Sequence, residues 1–182
     1  LTKQNAPEGV IESELVRYYC DTYLHGMDSR ILEKAASWLP MLSYSRAKSS
    51  MLEMGKKSRL MIITKALELS VASYVDWFYE RGVHTRFKSN DLFINDYIIQ
   101  GLWRPEILCA ADKYRIAKEY IPNKNRVVIF GNTSEDLAMH KAANDLGIES
   151  LMIAVHPRDK EIEEESDVVM RSWPELYSKI LR

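Results

Sequence analysis

The sequence predicts an α/β fold, a mainly parallel sheet with helices on both faces, preceded by a helical segment. Three observations carry that expectation. Apolar, β-branched runs of strand length occur at residues 59–64, 126–130 and 151–155. The first two are each followed at once by a helix-periodic stretch. Strand and helix then alternate from residue 59 onward, whereas residues 10–57 show helical spacing only.

The elements follow in order. Val10, Leu15, Val16, Tyr19, Cys20, Tyr23 and Leu24 recur at helical spacing, with Glu12 and Glu14 where a helix start favours negative charge and Gly26 as the stop. A second helix is expected around Ile31, Leu32, Ala35 and Trp38, stopped by Pro40, and a third over residues 45–54, closed by Gly55. Residues 59–64 read as a fully buried strand, followed by a helix over residues 66–81 that ends at Gly82. Residues 84–87 suggest a short strand, and residues 92–99 a hairpin turning at Asn95-Asp96. A helix over residues 112–120 stops before Pro122. A second buried strand at 126–130 leads through Gly131 to a helix over 135–146; strands at 151–155 and 168–170 and a closing helix over 174–181, entered through Ser172, complete the chain. The charge run 160–165 reads as a solvated loop or helix end.

Bulk properties restrict the function classes. With 182 residues, 46% hydrophobic and 28% charged, the chain can bury a full core as one domain or one domain with a modest insertion. Twenty-five basic and 26 acidic residues give a net charge of -1. That balance provides no long-range field to gather nucleic acid or an anionic membrane, so neither is an expected partner and any phosphate site must be local. Cys20 and Cys109 are far apart and belong to no metal-binding spacing, which favours a reduced, cytoplasmic protein without structural zinc. No apolar run reaches the length of a membrane span and no signal peptide is visible; the first residue is Leu1 rather than methionine.

In parallel sheets, ligands gather at the carboxyl ends of the strands, which directs attention to Thr64 and to the loop 131–136. The Thr64 hydroxyl, with the backbone N–H groups that follow, suits phosphate oxygens, although helix capping alone explains a threonine there equally well. Asn132 and Asp136 are four apart, so both side-chain oxygens can face one cation on the first helical turn, and oxygen donors suit magnesium rather than zinc. The competing explanation is an Asn/Thr/Ser helix start whose acids are favoured by the dipole. Lys113 can neutralise a phosphate or a carboxylate, a role for which Lys118 competes. His84, His140 and His156 are scattered and receive no catalytic role; an Asp136/His140 pair has helical spacing but no further zinc ligands.

Thr64, then Lys113, then the Gly131-Asn-Thr-Ser-Glu-Asp136 loop, in that order, resembles the haloacid-dehalogenase-like (HAD-like) phosphatases, and their phosphoserine-phosphatase-like branch in particular. The stretch 126–148, with its Met139-His-Lys-Ala-Ala and Leu146-Gly-Ile segments, is its most specific part; Ser166-Asp-Val-Val beside Trp173 and the hairpin from Ser89 through Gly101 add to it. The resemblance covers residues 58–182 and implies a three-layer, Rossmann-like core there, with residues 1–57 as a small helical cap. It further implies hydrolysis of a small phosphorylated metabolite through an aspartyl-phosphate, with Mg2+ as cofactor, Thr64 and Lys113 in catalytic roles, Thr64, Lys65 and Lys113 holding phosphate, and Asn132 and Asp136 holding the metal.

The chain departs from the pattern twice. No Asp-x-Asp-Gly-Thr motif, which supplies the nucleophile, occurs in it. Because that motif commonly runs on into Leu-Thr, the opening Leu1-Thr2 leads to the expectation that the nucleophile strand precedes residue 1 and lies between the strands ending at Thr64 and Phe130. Asn132 stands where the family has a metal-binding aspartate, which removes one charge. A phosphatase-fold protein that binds or regulates without catalysis is therefore the alternative. A response-regulator or nucleotide-binding domain explains the alternation but neither the Thr64, Lys113 and Asp136 set nor the absence of a Gly-rich phosphate loop.

Overall fold

Helical spacing in the first part of the chain does make helices. The computed structural model describes residues 8–43, 45–103 and 107–180. Helix α1 spans Glu8–Tyr19 and continues as a π-helical stretch, Cys20–Leu24, before Gly26 turns the chain at φ +80°. The opening Leu1-Thr2 pair and Leu181 lie outside the described residues. Helix α2 spans Ser29–Leu42 and is capped by Asp28, whose carboxylate accepts the Arg30 N–H. Hydrogen bonds from the Arg30 side chain, and then from its backbone, hold the Asp28 carboxyl below the usual carboxylate range.

Two expected stops are not stops. Pro40 lies inside α2, buried, and the helix ends at Ser43, whose N–H donates to the Leu39 carbonyl. A proline there forgoes the N–H bond to the carbonyl four residues back, and α2 continues past it with Pro40 packed in the interior. Helix α3 spans Ser45–Lys57 and carries Gly55 within it. A Cβ on Gly55 would lie 2.3 Å from Cγ1 of Val83, itself 1% exposed, so packing rather than termination accounts for this glycine.

The remaining elements are β1 (Leu60–Leu67), α4 (Glu68–Tyr79), β2 (Thr85–Asn90), β3 (Leu92–Asn95), β4 (Ile98–Leu102), α5 (Ala110–Tyr120), β5 (Arg126–Gly131), α6 (Leu137–Asp145), β6 (Glu149–Val155), α7 (Lys160–Glu165), β7 (Val168–Met170) and α8 (Trp173–Ile180). The expected parallel strands are present, since β1 pairs with β2, β5 with β6, and β6 with β7, all in parallel. The Cα packing divides the chain into two compact units, Leu1–Ser43 with Gly55–Cys109 and Tyr44–Met54 with Ala110–Arg182.

In the first unit, β1 runs three residues beyond Thr64, the position expected to end it. The ladder is regular from Leu60↔Thr85 to Ile63↔Lys88 and resumes at Leu67↔Asn90, so Thr64, Lys65 and Ala66 form an irregular stretch within the strand. Buried Asn90 holds it extended, donating from Nδ2 to the Lys65 carbonyl (3.0 Å) and the Ile107 carbonyl (2.7 Å) while accepting the Ile107 N–H (3.0 Å). Only half-buried through most of its length, β1 is not the fully buried strand its composition suggests. The β3–β4 hairpin turns at Asp96-Tyr97, one residue later than expected, with φ +49° and +66°. Its Leu92 and Ile99 pack with Cys20 and Leu24. Burial, and then the Asp21 charge, push the Cys20 thiol up.

In the second unit, β6 is central to the order β5-β6-β7, and its residues Met152 to Val155 are buried. Alternation sends Met152 and Ala154 to one face, with Ala143 of α6 and Ile162 of α7, and Ile153 and Val155 to the other, with Met54 of α3 and Trp173. This sheet therefore has helices on both faces. Each large apolar side chain buried this way contributes roughly 1.5–3 kcal/mol. The edge strand β5 is mixed, with Val128 46% exposed beside buried Ile129, so it is not fully buried either. Residues 160–165, expected to be a solvated loop or helix end, form a short helix capped by Asp159, with most of its charged side chains exposed and Ile162 buried. Among the described residues no helix is long and apolar enough to cross a membrane.

A double-mutant cycle on Gly55 and Val83 tests the packing account. Gly55→Ala alone sets a gain of about 1 kcal/mol in helix preference against an overpacking cost of about 1–3 kcal/mol, so urea unfolding should show no gain or a net loss. In a Val83→Ala background the same change should stabilise. Equal effects in both backgrounds would contradict the contact.

Candidate active site in the second unit

Lys113 owes its position to a helical stripe. The buried residues of α5 are Lys113, Ile116 and Ala117, spaced 3 and 4, so the lysine is on the face that packs inward. Its ammonium donates to Asp136 Oδ1 at 2.7 Å and lies 3.4 Å from Glu135 Oε2. Lys113 and Asp136 are both more than nine-tenths buried. One cation against two carboxylates leaves this trio with a formal charge of -1.

The loop after β5 is built around the second oxygen of the same carboxylate. Asp136 Oδ2 accepts the N–H of Asn132 at 2.9 Å, the N–H of Thr133 at 3.3 Å and the Thr133 hydroxyl at 3.4 Å. A 3-10 turn, Ser134–Asp136, follows Thr133, and Asp136 reaches back to Thr133 as the acid of a capping box does. Gly131 makes this closure possible, since a Cβ there would stand 2.3 Å from Asp136 Cβ and 2.8 Å from Oδ2. The expected magnesium site is a hard-oxygen site, and a carboxylate beside an amide in a loop of net negative charge is suitable chemistry for it. Both Asp136 oxygens already have partners within the unit, however, and among the described residues no group of three or more His, Cys, Asp or Glu side chains is placed to hold a metal.

Of the expected site residues, the structure brings Lys113, Asp136 and the Asn132 backbone together. Thr64 and Lys65 belong to the first unit, on β1, where the Thr64 hydroxyl accepts the Ala66 N–H at 3.2 Å in a local turn and the Lys65 carbonyl is held by Asn90. Two participants escaped the sequence reading. Glu135 is the second carboxylate on Lys113. Asp159 caps α7 through Ile162 and also accepts the Ser134 N–H at 2.8 Å, tying the loop after β6 to the loop after β5. The available signals were an acid adjacent to Asp136, and an Asp-x-x-Ile start within the charge run.

No protein-family profile matches the chain, and no curated protein matches it in sequence. Solved structures do match. A HAD-family hydrolase from Salmonella enterica serovar Typhi has a TM-score of 0.58 at 15% identity, over 91% of this chain and 53% of that one. The fold is therefore that of the HAD-like hydrolases. Within that class it takes the phosphoserine-phosphatase-like form. A phosphoserine phosphatase in apo form has a TM-score of 0.71 at 18% identity, over 93% of this chain and 79% of that one. A phosphoserine phosphohydrolase-like protein from Francisella tularensis has a TM-score of 0.63 at 17% identity, over 97% and 88%.

Gly131→Ala tests the loop closure. The added methyl cannot be accommodated without displacing Asp136, so unfolding in urea should reveal a loss of about 1–3 kcal/mol. The N–H groups of Asn132 and Thr133 should lose hydrogen-exchange protection as well. A variant with wild-type stability and protection would refute the closure.

Proposed function

We propose that the protein is a magnesium-dependent phosphatase that hydrolyses a small phosphorylated metabolite through an aspartyl-phosphate, with residues 1–57 as a substrate-selecting cap on a core of residues 58–182. The observation that carries this reading is the buried Lys113–Asp136 pair, locked onto the Gly131 loop at the carboxyl end of β5. It occurs in a fold shared with phosphoserine phosphatases. Free Cys20 and Cys109 support a reducing, cytoplasmic setting.

In the proposed reaction an aspartate oxygen bonds to phosphorus as the ester P–O bond breaks, and the departing alkoxide takes a proton. Water then releases orthophosphate and restores the carboxylate. Within this chain, Lys113 holds Asp136, and Asp136 fixes the Asn132 backbone through its N–H, so that the loop meets a charged substrate without reorganising. Asn132 and Asp136 would hold magnesium, which when bound supplies positive charge against the phosphate oxygens. The phosphate-holding roles of Thr64 and Lys65, and the catalytic role of Thr64, are supported by the resemblance in sequence order. Asn132 also favours a second reading, a protein of this fold that binds without hydrolysis, because an amide brings no charge to a cation.

One assay separates the two. The product of the complete gene, offered a generic aryl phosphate, should release orthophosphate only with magnesium, and Thr64→Ala should lower kcat about 100-fold. No release at any magnesium concentration would overturn the hydrolase reading in favour of the binding one.

A further inference from the structure

We infer that the chain pairs with a second copy of itself through the outward side of α2, the two helices running antiparallel about a twofold axis. The inference goes beyond the phosphatase reading and does not depend on it.

Helix α2 has two apolar sides. One carries half-buried Leu32 and Leu39 with buried Ala36 and Pro40, and packs on α4, where the Tyr74 hydroxyl donates to the Leu39 carbonyl at 3.2 Å. The other carries Ile31, Ala35, Trp38 and Leu42, spaced 4, 3 and 4, and all four are exposed. Ile31 is 61%, Trp38 55% and Leu42 76% exposed, and Met41 beside them 77%. With the stem of Lys34, the row of four lines an open groove of about 400 Å³. Single exposed apolar side chains are ordinary, but a continuous helical row of them marks a surface for association. The charges nearest the start of the helix are engaged locally, since Arg30 is held by Asp28 and Glu33 accepts the Ser29 hydroxyl.

The contents of the row specify its occupant. Spacing of 4, 3 and 4 is that of a coiled-coil seam. In an antiparallel pair with its axis between Ala36 and Ser37, Trp38 of each copy meets Ala35 of the other, and Ile31 meets Leu42. Both central layers then set an indole against a methyl, and both outer layers set two aliphatic side chains of similar size. A parallel pair would place indole on indole beside methyl on methyl, a clash next to a gap. In the antiparallel register Lys34 lies level with Leu39 of the other copy, Arg30 with Ser43 and Glu33 with Pro40, so no charge meets its like. The exposed parts of Ile31, Trp38, Met41 and Leu42 amount to roughly 500 Å² per copy, or about 1,000 Å² for the pair, the lower end for a specific interface. A weak, concentration-dependent dimer follows.

Sedimentation equilibrium of the full chain tests the pairing. Wild type should dimerise with a Kd of about 10 µM. Trp38→Ala leaves methyl against methyl, and Ala35→Trp puts indole against indole, so each alone should weaken association at least about 10-fold. Mixed in equal amounts, the two variants regain an indole against a methyl in both central layers and should form a heterodimer within about threefold of wild-type affinity. Both positions are exposed, so far-UV circular dichroism and the urea midpoint of each variant should match wild type. Ile31→Glu and Leu42→Lys make a second complementary pair, each weak alone and regaining association when mixed, should either of the first variants fail to fold. A wild type that stays monomeric at about 200 µM overturns the inference. So does a dimer that none of these variants weakens, or a mixture that associates no better than its parts. A monomer that floats with anionic phospholipid vesicles, while Trp38→Ala does not, would give the row to a lipid surface and equally overturn it.

Discussion

The second unit depends on one buried carboxylate. Asp136 accepts a lysine ammonium on one oxygen and two backbone N–H groups and a hydroxyl on the other, so its acceptor sites are filled while it is almost wholly removed from water. Burying the charges of Lys113 and Asp136 costs several kcal/mol each, and the arrangement is tolerable only because every partner is in place. Several local features follow from that requirement. Residue 131 must lack a Cβ, the chain must turn within Thr133 to Asp136, and α5 must carry a lysine on a face that otherwise buries Ile116 and Ala117.

A rigid, fully bonded loop is also what a phosphate-handling site requires. The chain as a whole is nearly neutral, so no global field attracts an anion, and recognition rests on charges fixed within a few ångströms. In the proposed magnesium site Asp136, whose oxygens also hold the loop, would be joined by Asn132, neutral at the position that the family resemblance gives to a metal-binding aspartate.

The alternation of elements and the parallel pairing were legible because they depend on periodicity, which a single sequence displays. So was the association of Lys113 with Asp136, through a pattern of residue order rather than any local rule. What escaped reading was decided by packing. Gly55 looks like a helix stop but answers to Val83, and Pro40 looks like one but is buried within α2. Thr64 looks like a strand end, yet Asn90, 26 residues later, keeps the chain extended to Leu67. Ile162, a single apolar residue among exposed charges, docks the short helix that the charge run left undecided between loop and helix end. Glu135 was passed over because its significance depends on where an ammonium from another helix arrives.

The account stands on the coupling between Lys113 and Asp136, and a thermodynamic cycle of Lys113→Met, Asp136→Asn and the double variant, followed by urea unfolding of the full chain, measures it directly. Lys113→Met leaves the buried Asp136 and Glu135 carboxylates without their cation and should cost about 3–5 kcal/mol. Asp136→Asn leaves the ammonium with Glu135 and should cost less. The double variant should recover at least about 1 kcal/mol of the summed loss. Losses that add to within about 0.5 kcal/mol would mean that the two side chains do not depend on one another, and the site as described would not exist.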